Sequence, residues 1–362
     1  MTTSNDNIGS RHAGPGRPGP SAGGPADAGL LRPVRIGPLR LPSNLVLAPM
    51  HKRTHLAFRL LCRREGAALA HTEMATPQEL LGREGPTKAE NLLATCPEDR
   101  PLGVQVAPRE PGPLADAVRL VADRATADLV DLNFACPSRR LAGRSGRGAA
   151  LLRRPREAVR LVEAAVAAAD LPVTVKLRLG ATGSDQDRAL ALDLARGAVE
   201  AGAAAVTLHG RSARQGYRPP ADSGAIAAWA EALPVPVFGS GDLRSPEAVL
   251  AMLRQTGCAG ASLARGAFGA PWIFRQVRTL AETGTYEAVS RQERGRVFLR
   301  HYERLVEQYG QEAAVRFIRQ IGRVYAREFP GAPEARAAIQ EARSDDAIRR
   351  MAETWFGIGA QP

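Results

Sequence analysis

The chain of 362 residues has no apolar run approaching the roughly 20 residues that a helix needs to cross a bilayer. Its first residues, MTTSNDNIGSRHAG, also lack the apolar core of a secretory signal. Apolar residues make up 44% of the chain and charged residues 24%, which is typical of soluble globular proteins. These features exclude a fibrous or wholly disordered chain and predict a cytoplasmic protein with no membrane partner.

Cysteine is scarce, and its spacing excludes several kinds of site. The four cysteines form no C-x-x-C pair, and no Cys/His cluster has zinc-site spacing. A long cytoplasmic chain is not expected to depend on disulfides. We therefore expect no metal centre, and each cysteine is either a small buried hydrophobe or a reactive thiol.

Lysine is almost absent, although the chain is strongly basic. All but three of the 49 basic side chains are arginine, the exceptions being Lys52, Lys88 and Lys176, and the net charge is +12. Such a charge is typical of proteins with a polyanionic partner, most often nucleic acid. An arginine-rich genome would produce the same ratio, so the charge alone leaves both explanations open.

Short apolar runs alternate with helix-like segments over about 240 residues. The runs suit parallel strands that are buried on both faces, and eight strand–helix units predict a TIM barrel rather than an open doubly wound sheet. The predicted strands are Leu45–Ala48, Ala68–Glu73, Gly103–Val106, Leu129–Asn133, Val173–Leu177, Ala204–His209, Val235–Gly239 and Gly260–Ala264.

Composition divides the chain into three parts. Residues 1–31 are rich in Gly, Pro and Ser and predict a disordered tail. Residues 32–284 hold the predicted barrel, and residues 285–358 read as helices only, which predicts a smaller all-helical domain. Within that domain a helix is predicted over 311–328. One face carries an arginine stripe formed by Arg316, Arg319, Arg323 and Arg327, which is either a phosphate-contacting surface or an ordinary solvated face.

Polar or reactive residues follow nearly every predicted strand, where a TIM barrel carries its chemistry. Two glycine-containing loops after the last two strands favour a phosphorylated cofactor. The alternative is that they are ordinary turns between strand and helix, which have the same pattern. The strand-end set is Pro49, Met50, Gln105, Asn133, Cys136, Lys176, Arg178, His209, Arg211, Ser240, Gly241, Asp242, Ala264, Arg265 and Gly266.

Cys136 precedes a loop that is basic throughout. Arg139, Arg140, Arg144 and Arg147 fall within it, and it contains no acidic residue. Such a loop would attract a polyanionic substrate to the thiol. A packed, inert cysteine is the alternative, and the loop position argues against it.

Taken together, these stretches resemble the tRNA-dihydrouridine synthases, flavin enzymes that reduce uridine in tRNA. The matching motifs occur in the family's order, cover the barrel, and include an HGRxxxQGY pattern with an upstream Cys-Pro loop. They are NLVLAPM at 44–50, NFACP at 133–137, GAALL at 148–152, VTVKLRLG at 173–180, LHGRSARQGY at 208–217, GSGDL at 239–243 and ARGAFGAPWIF at 264–274.

The resemblance implies that FMN lies across the barrel mouth and is reduced by NADPH. Hydride would pass to carbon 6 of a flipped-out uracil, and Cys136 would protonate carbon 5. Asn133 would hold the uracil, and tRNA would be the partner of a monomeric enzyme. Ser240, Asp242 and Gly266 are also expected at the cofactor. The further residues predicted to bind the substrate are Arg139, Arg140, Arg178, Arg211, Arg316, Arg319, Arg323 and Arg327. The residues implied to contact FMN are Pro49, Met50, Gln105, Lys176, His209, Gly241, Ala264 and Arg265.

The sequence departs from the family pattern at several positions. The family usually reads AGVTD after Pro-Met, whereas residues 51–55 read HKRTH; Ala135 and Ser240 stand where Gly and Asn are usual, and Arg319-Gln320 where Lys-His is frequent. The first change adds bulk and charge beside the cofactor. Two alternatives therefore stay open: a flavin oxidoreductase on this scaffold that reduces another pyrimidine or small molecule, and a tRNA-binding protein without redox activity.

Overall fold

A computed structural model of the chain describes residues 25–124 and 126–358. Most of the predicted tail over 1–31 lies outside these ranges. Its last part differs from the prediction, because Pro25–Leu30 form a 3-10 helix.

Contacts with the barrel order this short helix. The Asp27 carboxylate is buried and pairs with Arg254. The Leu30 carbonyl accepts a hydrogen bond from Asn44 Nδ2 across 2.9 Å. Local composition cannot reveal such long-range contacts, and that is why the tail prediction extends too far.

Two short antiparallel strands, β1 (Val34–Ile36) and β2 (Leu39–Leu41), form a hairpin ahead of the barrel. Their apolar side chains cluster with Leu69, Leu129 and Ala205, the first residues of three barrel strands. The hairpin therefore covers the N-terminal end of the barrel and leaves the opposite end open.

Eight parallel strands close into a barrel in which each strand pairs with the next and the last pairs with the first. This confirms the predicted TIM barrel and excludes the open sheet. The strands are β3 (Leu45–Leu47), β4 (Leu69–His71), β5 (Leu102–Val106), β6 (Leu129–Asn133), β7 (Val173–Arg178), β8 (Ala205–His209), β9 (Val237–Ser240) and β10 (Gly260–Leu263).

Helices return the chain between strands, and their ends follow ordinary capping rules. The helix after β9 is an example: Ser245 Oγ accepts from the backbone N–H of Ala248 across 3.3 Å, and Gly257 ends the helix in a left-handed conformation. The barrel helices are α1 (Leu56–Arg64), α2 (Pro77–Leu80), α3 (Pro86–Leu93), α4 (Pro111–Asp123), α5 (Pro155–Val166), α6 (Asp185–Glu200), α7 (Ser223–Ala232), α8 (Pro246–Thr256) and α9 (Ile273–Thr283).

The chain after α9 is helical, as predicted. Helix α10 packs against α1 of the barrel and against α11, and its apolar side includes the buried Phe298 and Tyr302. The four helices are α10 (Arg291–Tyr309), α11 (Gln311–Ile321), α12 (Ala332–Glu341) and α13 (Asp345–Phe356).

The helix predicted over 311–328 is shorter in the structure. It ends at Ile321 and continues as a 3-10 turn over Gly322–Val324. A methyl group at Gly322 would lie 2.7 Å from the Phe298 ring, so α10 and this turn approach closely at a residue without a side chain. Consequently the predicted arginine stripe does not lie on one continuous helix.

Within the described ranges, no helix combines the length and the apolar character needed to cross a bilayer.

Candidate active site

A cavity of about 520 Å³ opens at the C-terminal ends of the barrel strands. This volume is in the range of cofactor pockets. Parallel strands all finish at the same rim, and therefore residues far apart in sequence meet there. The predicted residues that line the cavity are Pro49, Met50, Gln105, Asn133, Cys136, Lys176, Arg178, His209, Ser240, Gly241, Asp242, Ala264, Arg265 and Gly266.

The lining residues absent from the predicted set include four with polar or aromatic side chains in loops: His51, Arg53, Tyr217 and Arg244. All of them lie in loops after strands. Tyr217 ends the LHGRSARQGY motif and Arg244 directly follows the GSGDL motif, a signal that could have identified them. His51 and Arg53 belong to the segment that departs from the family pattern.

A chain of buried hydrogen bonds crosses the barrel interior below the cavity. Thr174 Oγ1 donates to Asp131 across 2.7 Å, and Gln105 Nε2 donates to the other oxygen of Asp131 across 2.6 Å. Asn133 Nδ2 then donates to Gln105 Oε1 across 2.8 Å. Each polar group has a partner, so the network fixes the orientation of the Asn133 amide.

The Asn133 amide in turn holds the loop that carries Cys136. Its oxygen accepts hydrogen bonds from the backbone N–H groups of Ala135 and Cys136. The backbone carbonyl of Cys136 accepts from Ala149 across 3.0 Å. Cys136 is partly exposed and lies in the cavity wall. The polar atoms of Asn133 are therefore used within the protein, although the residue itself borders the cavity.

Lys176 lies opposite Asn133 in the β6–β7 pairing and contributes to the cavity wall. Burial and the neighbouring Arg178 guanidinium lower its pKa to about 8, against the opposing attraction of Asp131 and Cys136. The ammonium group is therefore still mostly protonated at pH 7, and a nearby anion would stabilise its charged form.

His209 ends β8 among cations. Burial, followed by Lys176 and Arg178, lowers its pKa to about 2, so the imidazole is neutral. Its Nε2 lies 3.3 Å from Nη1 of Arg211. Because a guanidinium only donates, Nε2 accepts and Nδ1 carries the hydrogen.

Two glycines allow close packing of neighbouring loops at the rim, Gly241 between the loops after β8 and β9 and Gly266 between those after β9 and β10. Gly241 has a φ of +122°, and a methyl group there would lie 2.6 Å from Ala221. A methyl group at Gly266 would lie 1.9 Å from the Leu243 carbonyl oxygen. Only glycine fits at these two positions, and the backbone therefore borders the cavity without an intervening side chain.

Arg265 belongs to the loop after β10 and faces an aromatic ring. Its guanidinium carbon is 3.8 Å from the centre of the Tyr217 ring. Tyr217 is 54% exposed, an unusual degree for a large hydrophobic side chain, and the ring lies at the cavity mouth. The stack orients a permanent positive charge at the rim.

Arg178 and Arg211, both predicted to bind substrate, are held by bonds within the protein. Both are only 2% exposed. Arg178 donates to the carbonyls of Ala135 and Ser212 across 2.8 and 3.0 Å, and Arg211 pairs with Asp242. Through these bonds the two residues brace the loops around the cavity, and their contact with substrate stays a prediction. Side-chain direction is not visible in a strand-end pattern.

The predicted basic loop is present beside the cavity. Arg139–Arg144 form one turn of π-helix, in which Arg139 is exposed, while the side chain of Arg140 lies outside the described part. Arg147 points inward and donates to the Ala107 carbonyl across 3.0 Å. The side chain of Arg144 also lies outside the described part, so the solvent-facing charge seen in this loop is that of Arg139.

The predicted arginine stripe divides into two groups. Arg316 and Arg319 line a groove between α11 and α12, where Arg319 Nε donates to the Gln340 carbonyl across 2.8 Å and Arg316 pairs with Glu312. Arg323 and Arg327 lie beyond the end of α11. Both groups reach solvent, but they face different neighbours.

The described ranges contain no group of three or more His, Cys, Asp and Glu side chains that could hold a metal ion.

Comparison with solved structures supports the fold. A histamine dehydrogenase from Rhizobium sp. 4-9 aligns with a TM-score of 0.55 and 15% identity over 76% of this chain, and the chain spans 51% of that protein. Morphinone reductase aligns with a TM-score of 0.51 and 15% identity, covering 69% of this chain and 89% of the reductase. Similarity at this level of identity shows a shared barrel only.

Sequence comparison shows the family. A tRNA-dihydrouridine synthase B of Pseudomonas aeruginosa is 36% identical over 315 residues, covering 87% of this chain and 93% of the relative. A probable tRNA-dihydrouridine synthase of Rhodobacter capsulatus is 38% identical over 287 residues, covering 79% and 87%. The model of the dihydrouridine synthase (Dus) family matches residues 46–354. This chain belongs to the dihydrouridine synthase family.

Proposed function

We propose that this protein reduces uridine in tRNA to 5,6-dihydrouridine, with FMN bound in the barrel cavity and NADPH as reductant. The proposal rests on the observation that Cys136, Lys176 and His209 line one cavity at the barrel mouth. The relatives described as tRNA-dihydrouridine synthases supply the substrate class.

The residues of the cavity fit a flavin mononucleotide. Backbone at Gly241 and Gly266 borders the cavity where a phosphate can accept N–H donors, and Arg265 adds a positive charge. Pro49 and Met50 offer an apolar wall for a ring system. When bound, FMN supplies the hydride that reduces carbon 6 of the uracil ring, and NADPH restores the reduced cofactor.

The side chains of this protein divide the remaining work. The Cys136 thiol donates the proton that completes the addition at carbon 5. Lys176, with a pKa near 8, provides positive charge where negative charge develops, and the neutral His209 donates a hydrogen bond through Nδ1. Asn133 positions the loop of Cys136 and presents little free hydrogen-bonding capacity to the uracil.

Access of a tRNA base to this cavity requires that the base leave its stack, which costs a few kcal/mol. Solvent-accessible arginines around the mouth and in the groove between α11 and α12, among them Arg139, Arg316 and Arg319, offset that cost through phosphate contacts. We also propose a cytoplasmic monomer whose chemistry uses flavin and thiol and no metal.

The decisive test maps dihydrouridine in tRNA from a deletion strain. We expect one modified position to be lost, to return with the wild-type chain and to stay absent with Cys136→Ala. An unchanged map with a yellow protein that reduces free pyrimidines would instead establish the small-molecule reductase. A colourless protein that takes up no FMN would contradict both redox functions.

A further inference from the structure

We propose that Arg53, Arg244 and Arg327 form an anion-binding subsite on the rim of the barrel mouth, which holds a backbone phosphate of the RNA beside the base that enters the cavity. This inference rests on the proposed function and names the part of the protein that receives the nucleotide's phosphate. It adjoins the cofactor phosphate loops formed by the Gly241 and Gly266 backbone and Arg265. A methyl group at Gly266 would lie 3.0 Å from the Arg244 Cα, whereas Arg53 and Arg327 belong to other segments.

The three arginines come from three different parts of the chain. Arg53 follows β3, and Arg244 follows β9; both line the cavity. Arg327 belongs to the segment after α11. That segment lies directly against the loop after β10, because a methyl group at Gly269 would lie 2.4 Å from Val324.

Arg53 and the segment of Arg327 both approach the loop after β10, because Arg53 stacks on Phe268 and the next residue, Gly269, lies against Val324. The electrostatics agree with this arrangement. The pKa of Arg327 is lowered, first by partial burial, with Glu328 opposing the shift and Arg244, Arg336 and Arg53 adding to it. Like charges repel at this range, and an anion between them would relieve the repulsion.

None of the three guanidinium groups forms a hydrogen bond or ion pair with another side chain in the described part of the protein. Arg53 is held only by an aromatic contact, its guanidinium carbon lying 4.6 Å from the centre of the Phe268 ring. By contrast, Arg178 and Arg211 direct their donors to protein acceptors. The donors on the rim are thus available to a ligand, and phosphate oxygens match the guanidinium fork.

A tight turn at Lys52 fixes the backbone that precedes Arg53. Lys52 has a φ of +58°, and its N–H donates to the Glu73 carboxylate across 2.6 Å. Lys52 stands where the family motif AGVTD has glycine, which adopts positive φ without strain. The segment can therefore keep the turn while Arg53 adds a charge at the position of the motif's valine.

The experiment uses the full FMN-loaded protein and unmodified tRNA transcript. Arg53→Val, Arg244→Gln and Arg327→Gln are made singly, with Arg40→Gln in the hairpin at the opposite end of the barrel as the matched control. Flavin absorbance, the Kd for tRNA as a function of salt, and the rate of flavin reduction by NADPH without tRNA are measured for each.

We expect the Arg53 and Arg327 variants to bind FMN normally and to be reduced by NADPH at the wild-type rate. Each rim variant, measured when saturated with FMN, should raise the tRNA Kd roughly fivefold. The slope of log Kd against log salt should fall by about 0.7 to 0.9 for each phosphate that the variant no longer neutralises. The double variant Arg53→Val with Arg327→Gln should lose less tRNA-binding free energy than the two single variants added together, because both arginines contact one phosphate. Arg40→Gln should leave all three readouts unchanged.

Two results would overturn the subsite while leaving the proposed function intact. The first is that the wild-type protein reduces tRNA while the rim variants show an unchanged tRNA Kd and an unchanged salt slope. The second is slower reduction by NADPH with unchanged tRNA binding, which would assign the rim to a phosphate of the reductant. A wild-type protein that binds no tRNA would contradict both proposals at once.

Discussion

The side-chain oxygen of Asn133 accepts a hydrogen bond from the backbone N–H of Cys136 across 2.9 Å and another from Ala135 across 3.0 Å. Both N–H groups belong to the turn that directs the thiol into the cavity. A buried network through Gln105 and Asp131 fixes the amide itself. The position of the proposed acid is therefore set from the barrel interior rather than by the basic loop that follows it.

The first prediction concerns this positioning. Asn133→Ala removes both acceptor contacts, and we expect kcat to fall about 100-fold, because displacement of a reacting group by about 1 Å has that effect. FMN content and the KM for tRNA should change little. Steady-state kinetics with flavin absorbance will check this. Thr174→Val removes only the hydrogen bond at the far end of the network. It is the matched control and should lower kcat much less. A large rise in KM with unchanged kcat would show that Asn133 binds the uracil instead.

The second prediction concerns the proton donor. Cys136→Ala should retain FMN and its reduction by NADPH, and should lower the rate of dihydrouridine formation by about 10² to 10⁴, a range typical for loss of a general acid. Rapid-mixing measurements separate the two half-reactions. Cys96→Ala removes another partly exposed thiol and should leave both rates unchanged. Normal turnover in the Cys136 variant would assign the proton to another group.

Periodicity and strand-end residues predicted most of the barrel and much of its cavity. The strand at Leu129–Asn133 has the predicted bounds, because a buried parallel strand leaves a continuous apolar run in the sequence. The end of α11 at Ile321 was not predictable in this way. It depends on the approach of Gly322 to Phe298, a contact with another helix.

The direction of a side chain is the other property that the pattern does not contain. Arg178 and Arg265 both follow predicted strands and look alike in sequence. In the structure Arg178 donates to the carbonyls of Ala135 and Ser212, whereas Arg265 stacks on Tyr217 at the mouth. Carbonyl positions depend on the loops of the folded chain, so only coordinates distinguish a brace from a binding residue.

The third prediction uses the scarcity of lysine. In FMN-free protein, acylation of Lys176 by a small amine reagent should follow a pH profile with its midpoint near 8, because burial and Arg178 depress its pKa. Lys88 is the internal control: hydrogen bonds to Glu79 and Glu84 raise its pKa, so its labelling should begin at higher pH. Mass spectrometry resolves the two sites. FMN should protect Lys176 and not Lys88. Equal profiles would show that Lys176 is fully solvated.

The fourth prediction concerns two stacked histidines that join the barrel to the C-terminal helices. His55 caps α1, His301 lies in α10, and their ring centres are 5.2 Å apart. Burial, followed by His301 and Arg59, holds the pKa of His55 well below its usual value, and burial lowers the pKa of His301 to about 3. Both are therefore neutral in the folded protein, whereas in the unfolded chain they take up protons below about pH 6.5.

Acidification should consequently destabilise the fold. Each buried histidine contributes a loss of about 1.4 kcal/mol per pH unit as the pH falls below about 6.5, because only the unfolded state binds the proton. Urea unfolding between pH 7.5 and 5 gives the slope of the unfolding free energy against pH. This slope should fall by the contribution of one proton in His55→Asn, which keeps a capping side chain, and by the same amount in His301→Phe. Tyr325→Phe is the control, since it removes the 2.9 Å hydrogen bond to His301 Nδ1 and leaves the titrating ring in place. It should lower stability at every pH without changing the slope. An unchanged slope in both histidine variants would mean that water or a charge reaches the pair and lets it protonate within the folded protein.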